Sequence, residues 1–419
     1  MSALTSHDPY RALREPGFRR YLAGNLIGTL GFQMQGVAVG WELYERTHSA
    51  LALGLVGLAQ VAPLILFFLP AGHLVDRFDR RRVVMAALGG MALASAGLAM
   101  VSARQGPVPL VYGFLVLSGT ARAVFGPGKS ALLPEIVPVG SFQSAVAWNS
   151  GGWQMADVLG PAAGGALLAL TRNPALIYLL HAALALVFVA LLAGVRLQAP
   201  VRPVVAATLD SLLDGARFVW RSRILLSAIT LDLFAVLFGG AVALLPVYAK
   251  DILHVGPAGL GWLLAAQSIG AVTTTLALAH RPPLKRAGPT LLRAVAIFGI
   301  ATIVFGMSRS FILSLGALAV AGAADSVSVV IRMTLAQLGT PNALRGRVSA
   351  VNSLFIGTSN ELGHFESGAL AALVGPVTAV VAGGIGTLAV VAAVAARWPE
   401  LRAMEEIEKS VSAEGSPAA

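Results

Sequence analysis

No cysteine occurs anywhere in the 419 residues, which excludes a disulfide framework, a thiolate metal site and a thiol nucleophile. Charge is nearly as scarce. Asp, Glu, Lys and Arg make up 12% of the chain, about half the roughly 25% that soluble domains carry. So few charges cannot coat a water-facing surface, and a soluble globular protein is excluded. Acidic residues are the rarer sign, 20 against 30 Lys and Arg, leaving a formal charge of +10. Such a balance would suit nucleic acid, but the cations are scattered over short loops between apolar runs. Nucleic acid is therefore not an expected partner. The seven His residues are also scattered. No nucleophile–base pair or His/Cys cluster emerges, so neither an enzyme nor a metal or cofactor site is expected.

What the chain has in abundance is apolar sequence, 56% hydrophobic residues with a mean hydropathy of +0.77. Runs at 22–41, 51–71, 83–103, 108–128, 144–170, 174–195, 224–247, 258–279, 290–308, 311–334, 348–373 and 376–396 are long enough to cross hydrocarbon at 1.5 Å per residue. An all-α integral membrane protein with twelve transmembrane helices is expected. Its parts are a six-helix half over 1–195, a linker over 196–223, a second six-helix half over 224–396 and a tail over 397–419. In the linker, Leu209, Leu212, Leu213, Ala216 and Val219 recur at helical spacing. Thr208 is placed to cap that helix, Asp210 lies in its first turn, and Arg217, Arg221 and Arg223 lie at its far end. Its other face is polar, which puts it flat on the membrane surface between the halves.

Between the second and third runs stands Gly72-His-Leu-Val-Asp76-Arg77-Phe-Asp79-Arg80-Arg81-Arg82. A short loop so rich in arginine stays cytoplasmic. Alternating from it leaves only Arg46, Arg104, Arg172, Lys250 and Arg309 in outside loops, so both termini are expected in the cytoplasm. Residues 1–21 are polar and arginine-rich and read as a cytoplasmic lead with no cleavage-type site.

Several stretches carry a resemblance. Gly72-x-x-x-Asp76-Arg77-x-x-Arg80-Arg81 resembles the loop signature of the major facilitator superfamily, with Asp79 where a Gly is usual. Asp157-Val-Leu-Gly160-Pro161-Ala-Ala-Gly164-Gly165 resembles its antiporter signature in span 5, with Ala147 and Ala156 in place of earlier glycines. Arg122-Ala-Val-Phe-Gly126-Pro-Gly128 resembles its span 4 signature, with Phe125 where Gln is common. Asp210–Trp220, Leu244–Tyr248, Arg345–Asn352 and Ser359–Gly368 resemble a bacterial branch that includes the enterobactin exporter, although His364 departs from it. The resemblance implies two pseudo-symmetric halves that rock about a central site, with the loop at Gly72, Asp76, Arg77, Arg80 and Arg81 gating the change. It links Arg122 to proton coupling. It implies proton-driven export of a siderophore or amphiphile across the bacterial plasma membrane.

The residues themselves propose a chemistry. Asp157 lies about 18 Å into its span at 1.5 Å per residue, where a carboxylate needs a partner or a watery cavity. It either carries a proton or rests as a neutral acid bonded to a neighbouring helix. Gly160 and Gly164, four apart, also suit close helix packing. Arg122 either couples protons or snorkels, being about 9 Å from the end of its run. Asn360, Glu361 and His364 share part of one helix face. Glu-x-x-His would need a second copy to hold metals, so a proton relay or substrate contact is favoured. Asp232, Asp325, Gln33 and Gln267 are further in-span polar candidates, with Asp325 spaced to meet Arg332. A faint repeat, Ser144-Ala-Val146 and Ser349-Ala-Val351, sets Asp157 against position 362, next to Glu361. Multidrug efflux, uptake, or a non-transporting receptor or scaffold compete with export of a small molecule. A monomer among membrane lipids, without cofactor, is expected.

Overall fold

The computed structural model describes residues 8–197, 209–281, 285–341 and 344–405, and its regular structure is all helix, with no strand among them. The cause is the solvent. In hydrocarbon every backbone N–H and C=O must be paired within its own segment, and a helix does this. The expected cap Thr208, Arg202, Lys409 and the side chain of Asp210 lie outside the described residues.

Two compact units divide the chain, and the boundary cuts through α1 (Pro16–Thr47) and α2 (Ala50–Arg77). The first unit holds Met1–Ala38 and Leu66–Ala206. It contains α3 (Arg80–Ala103), α4 (Val108–Ile136), α5 (Phe142–Thr171) and α6 (Pro174–Ala193). Its core gathers Phe18 and Tyr21 of α1, Val84 and Leu88 of α3, Leu132 and Ile136 of α4, and Phe188 and Leu192 of α6. Polar residues finish the helix ends. Asp79 caps α3 by accepting from the Arg82 backbone N–H at 2.9 Å. Arg20 and Arg81 donate to Gly194 O and Val195 O, at 2.6 and 2.8 Å, just past α6. Cations there complement the negative end of the helix dipole.

Pro127 and Pro134 lie inside α4 without ending it, as membrane helices permit when neighbours satisfy the freed carbonyls. This corrects the shorter run expected from sequence. Arg122 stands fourteen residues before the end of α4 at Ile136, about 21 Å along the axis at 1.5 Å per residue. It is a mid-helix residue.

The second unit holds Val39–Ile65 and Ala207–Ala419. Here α7 (Leu209–Arg221) leads into α8 (Arg223–Phe238), followed by a 3-10 turn at Ala241–Leu244, the short α9 (Leu245–Val247) and a π turn at Tyr248–Ile252. Sequence reading expects one unbroken helix over 224–247. Gly239 and Gly240, adjacent and poor at holding a helix, break it. Then come α10 (Gly256–Ala279), α11 (Ala287–Met307), α12 (Phe311–Leu338), α13 (Arg345–Val374), α14 (Pro376–Arg397) and α15 (Pro399–Ala403). Leu225 and Leu231 of α8, Leu291 and Val295 of α11, and Ile331 and Leu335 of α12 form the core with Leu401 and Met404. The last residues also cap α11: Glu405 O accepts from the N–H groups of Arg286 and Ala287, and Met404 O from Gly288. Those are donors that a helix start leaves orphaned.

The linker helix α7 packs along α13, with Gly215 against the Arg347 backbone and Arg347 donating to Asp214 at 3.0 Å. The ends of α1 and α2 that belong to this unit are equally embedded. Tyr44 donates to Asp251, and Lys250 meets Glu45 at 2.9 Å. Gly54 and Gly368 let α2 and α13 touch backbone to backbone, since a Cβ at Gly368 would lie 2.6 Å from Gly54 Cα.

Among the described residues, nine segments are long and apolar enough to cross a membrane: α2, α3, α4, α6, the broken run Arg223–Ile252, α10, α11, α12 and α14. The helices α1, α5 and α13 match them in length, at 32, 30 and 30 residues, but are more polar. They carry Asn25, Gln33 and Gln35; Asn149 and Asp157; and Asn360, Glu361 and His364.

Candidate functional site

The polar residues of the first unit meet in tiers along α1, α4 and α5. Helix α5 presents Gly160 and Gly164 to α1. A Cβ at Gly160 would lie 2.5 Å from the Gln33 Cβ, and one at Gly164 would lie 2.8 Å from the Met34 Cα. Pro161 and Gly165 are buried beside them. With no side chain between the backbones, the two helices settle in one register. Gln33 donates to the Asp157 carboxylate and, eight residues earlier on each helix, Asn25 donates to Asn149 at 3.0 Å. Asp157 stands midway along α5. Arg122 of α4 lies over the Phe32 ring, 4.6 Å from its centroid.

One tier nearer the start of α1, Lys129 of α4 donates to Asn25 Oδ1 at 3.3 Å and stands over the Phe125 ring at 5.5 Å. The run expected over 108–128 stops just short of Lys129; the full extent of α4 puts it inside the helix. The signal that identifies it is its spacing of seven residues from Arg122, nearly two full turns, which sets both cations on one face. A separate buried knot joins α1, α3 and α6. Ser95 donates to Gln35 Oε1 at 2.7 Å, and His181 Nδ1 approaches both at 2.8 Å.

In the second unit the strongest electrostatic feature is Arg332 of α12, 2.6 Å from Asp232 of α8, with both side chains buried. Arg332 Nε also donates to Ser328 at 3.3 Å. Asp325, expected from its spacing to meet Arg332, lies within electrostatic reach of both Arg332 and Asp232, so the three form one group. Glu361 and His364 stand 3.6 Å apart on α13, where a Cβ at Gly57 would press on the Glu361 carbonyl. Asn360 beside them is exposed. Gln267 of α10 borders a small apolar cavity with Phe298, Thr302 and Phe305.

The arginine loop divides in two. Arg80 is held by Glu135 at 2.7 Å and Arg81 by Val195 O, whereas Asp76 and Arg77 are exposed and Gly72 has open space around its Cα.

Comparison with known proteins decides the family. The family model for transmembrane secretion effectors matches residues 7–417. The chain belongs to that family of the major facilitator superfamily. The enterobactin exporter EntS of Escherichia coli O6:K15:H31 is 28% identical over 406 residues, covering 96% of each chain. That of Shigella flexneri is 28% identical over 411 residues with the same coverage. Among solved structures, a bacterial homologue of the lysosomal transporter Spinster, inward-facing and occupied, superposes with a TM-score of 0.70 at 17% identity. It covers 98% of this chain and all of its own. That likeness supports the fold alone. The chain is a multi-pass membrane transporter and not an enzyme.

Proposed function

We propose that the protein is a secondary exporter of a small organic molecule, siderophore-like or amphiphilic, working by alternating access in exchange for protons. One observation carries the export reading: the end-to-end match, over 96% of each chain, to exporters named for enterobactin. The nine apolar segments, joined by the more polar α1, α5 and α13, make twelve spans in two six-helix halves over 1–195 and 224–396. Both termini lie in the cytoplasm of a bacterial plasma membrane, and the protein acts as a monomer.

Coupling falls to Asp157. A carboxylate midway along a spanning helix costs several kcal/mol unless partnered, and Gln33 supplies a donor to its ionised form. Exchange of that donor for a bound proton is a minimal load-and-release step. Glu361 beside His364 is the counterpart in the second half. Asp76 and Arg77 supply the gating contact, with Arg80 and Arg81 fixing the base of the loop.

Inverted vesicles with an acidic interior test the whole reading. They should accumulate a catecholate siderophore, and Asp157→Asn should abolish accumulation while cargo-for-cargo exchange survives. Accumulation that ignores the proton gradient in the unaltered protein would overturn it.

A further inference from the structure

We propose that Lys129, Asn25 and Asn149, flanked by Arg122 and Trp153, form a subsite for an aromatic organic anion bearing a carboxylate or catecholate. The inference deepens the exporter reading and rests on its small organic cargo.

Lys129 carries the argument. It lies seven residues inside the end of α4, and its contacts among the described residues are neutral: the Asn25 amide oxygen at 3.3 Å and the Phe125 ring at 5.5 Å. The neighbouring acids have other partners, Glu135 in Arg80 and Asp157 in Gln33. An ammonium has three donors, and in a poorly hydrated bundle a cation without an anion is costly. An arriving carboxylate or catecholate would supply the anionic partner that these contacts lack and would favour the charged form of Lys129.

The surrounding groups narrow its chemistry. Asn25 spends its amide nitrogen on Asn149 Oδ1, which leaves the Asn149 amide nitrogen as a neutral donor beside the ammonium. Arg122 repeats the positive charge on the same face of α4, about 10 Å along at 1.5 Å per residue. On α5, Trp153 stands one turn from Asn149 and one turn from Asp157, and half of its surface is exposed. The half-exposed indole, on the helix that carries Asn149, suits a flat ring, while the Lys129 ammonium and the Asn149 amide suit its acidic oxygens.

The test is equilibrium binding to the purified full-length protein, read by calorimetry with 2,3-dihydroxybenzoate and its neutral amide as probes. The acid should bind at least about tenfold more tightly than the amide, the scale of one charge-assisted hydrogen bond. Lys129→Gln should remove that preference, Lys129→Arg should keep most of it, and amide binding should be the same in all three. Equal binding of acid and amide to the unaltered protein would overturn the subsite, as would a preference that survives Lys129→Gln. Should Lys129→Gln fail to fold, the acid–amide comparison in the unaltered protein and in Asn149→Leu decides. No gradient is present, so the result is independent of direction: acid binding without proton-driven export would refute the exporter reading and leave the subsite standing.

Discussion

Adding a single methyl group at Gly164 tests the contact on which the first unit's site is built. In a helix, Gly→Ala by itself stabilises by about 1 kcal/mol through propensity. At Gly151, also in α5, nothing lies within 4 Å of the added carbon, so Gly151→Ala should show that gain undiminished. At Gly164 the same carbon would lie 2.8 Å from Met34 Cα and 3.1 Å from Met34 O. Both are backbone atoms of α1, so no rotamer change relieves the clash and the helices must part. Overpacking of this kind costs roughly 1–3 kcal/mol, and the two variants should differ by about that much. A difference of 1 kcal/mol moves the midpoint of a 150–250-residue domain by about 2–4 °C. Thermal unfolding of purified protein should therefore rank Gly151→Ala highest and Gly164→Ala several degrees below it. Gly164→Ala should also lose proton-driven transport, because parting α1 from α5 withdraws Gln33 from Asp157. Equal midpoints for the two variants would refute the close approach and with it the register that pairs these side chains.

Other expectations follow from the ion pairs and the loops. Arg332→Gln strands a buried carboxylate and should destabilise by about 3–5 kcal/mol; adding Asp232→Asn should restore most of the loss, as read by thermal unfolding. Glu400 meets Arg223 at 2.7 Å, and its own backbone N–H, then Arg223, hold its carboxyl below the ordinary value of 4.5. A depressed value makes that contact present at neutral pH and lost as pH falls through it, so Glu400→Gln should lower the unfolding midpoint slightly at pH 7 and leave it unchanged in strong acid. Reporter fusions after Arg82, Arg223 and Arg397 should report cytoplasm, and fusions after Ser49, Gln105 and His254 the opposite side; a consistent inversion would sink the proposed topology.

The helical class is legible in the sequence because it follows from solvent and composition alone. Nine segments are apolar enough to announce themselves, and the arginine loop marks its own place between α2 and α3. Helix ends are less legible. Pro127 looks like a terminator by the rules for water-soluble helices, yet α4 continues to Ile136, and that continuation converts Arg122 and Lys129 from peripheral cations into interior ones. The break after Phe238 was signalled by Gly239 and Gly240 but masked by the apolar residues around them.

Least legible are the pairings. Asp157, Asp232 and Arg332 can each be flagged as out of place in hydrocarbon, since that judgement needs only one residue and its depth. Adding Asp232 to the Arg332 and Asp325 that spacing already brings together requires knowing which helix lies alongside α12, which local spacing does not contain. The same holds for Gln33 and Asp157, although here the cause can be traced. Gly160 and Gly164 present α5 to α1 without side chains, and a groove that admits a backbone at one height fixes the register at every height. Asn25 with Asn149 and Gln33 with Asp157 then fall opposite one another, eight residues apart on both helices. The glycines that carry the antiporter resemblance therefore act on the chemistry indirectly: they touch α1, and α1 brings the donor to the acid.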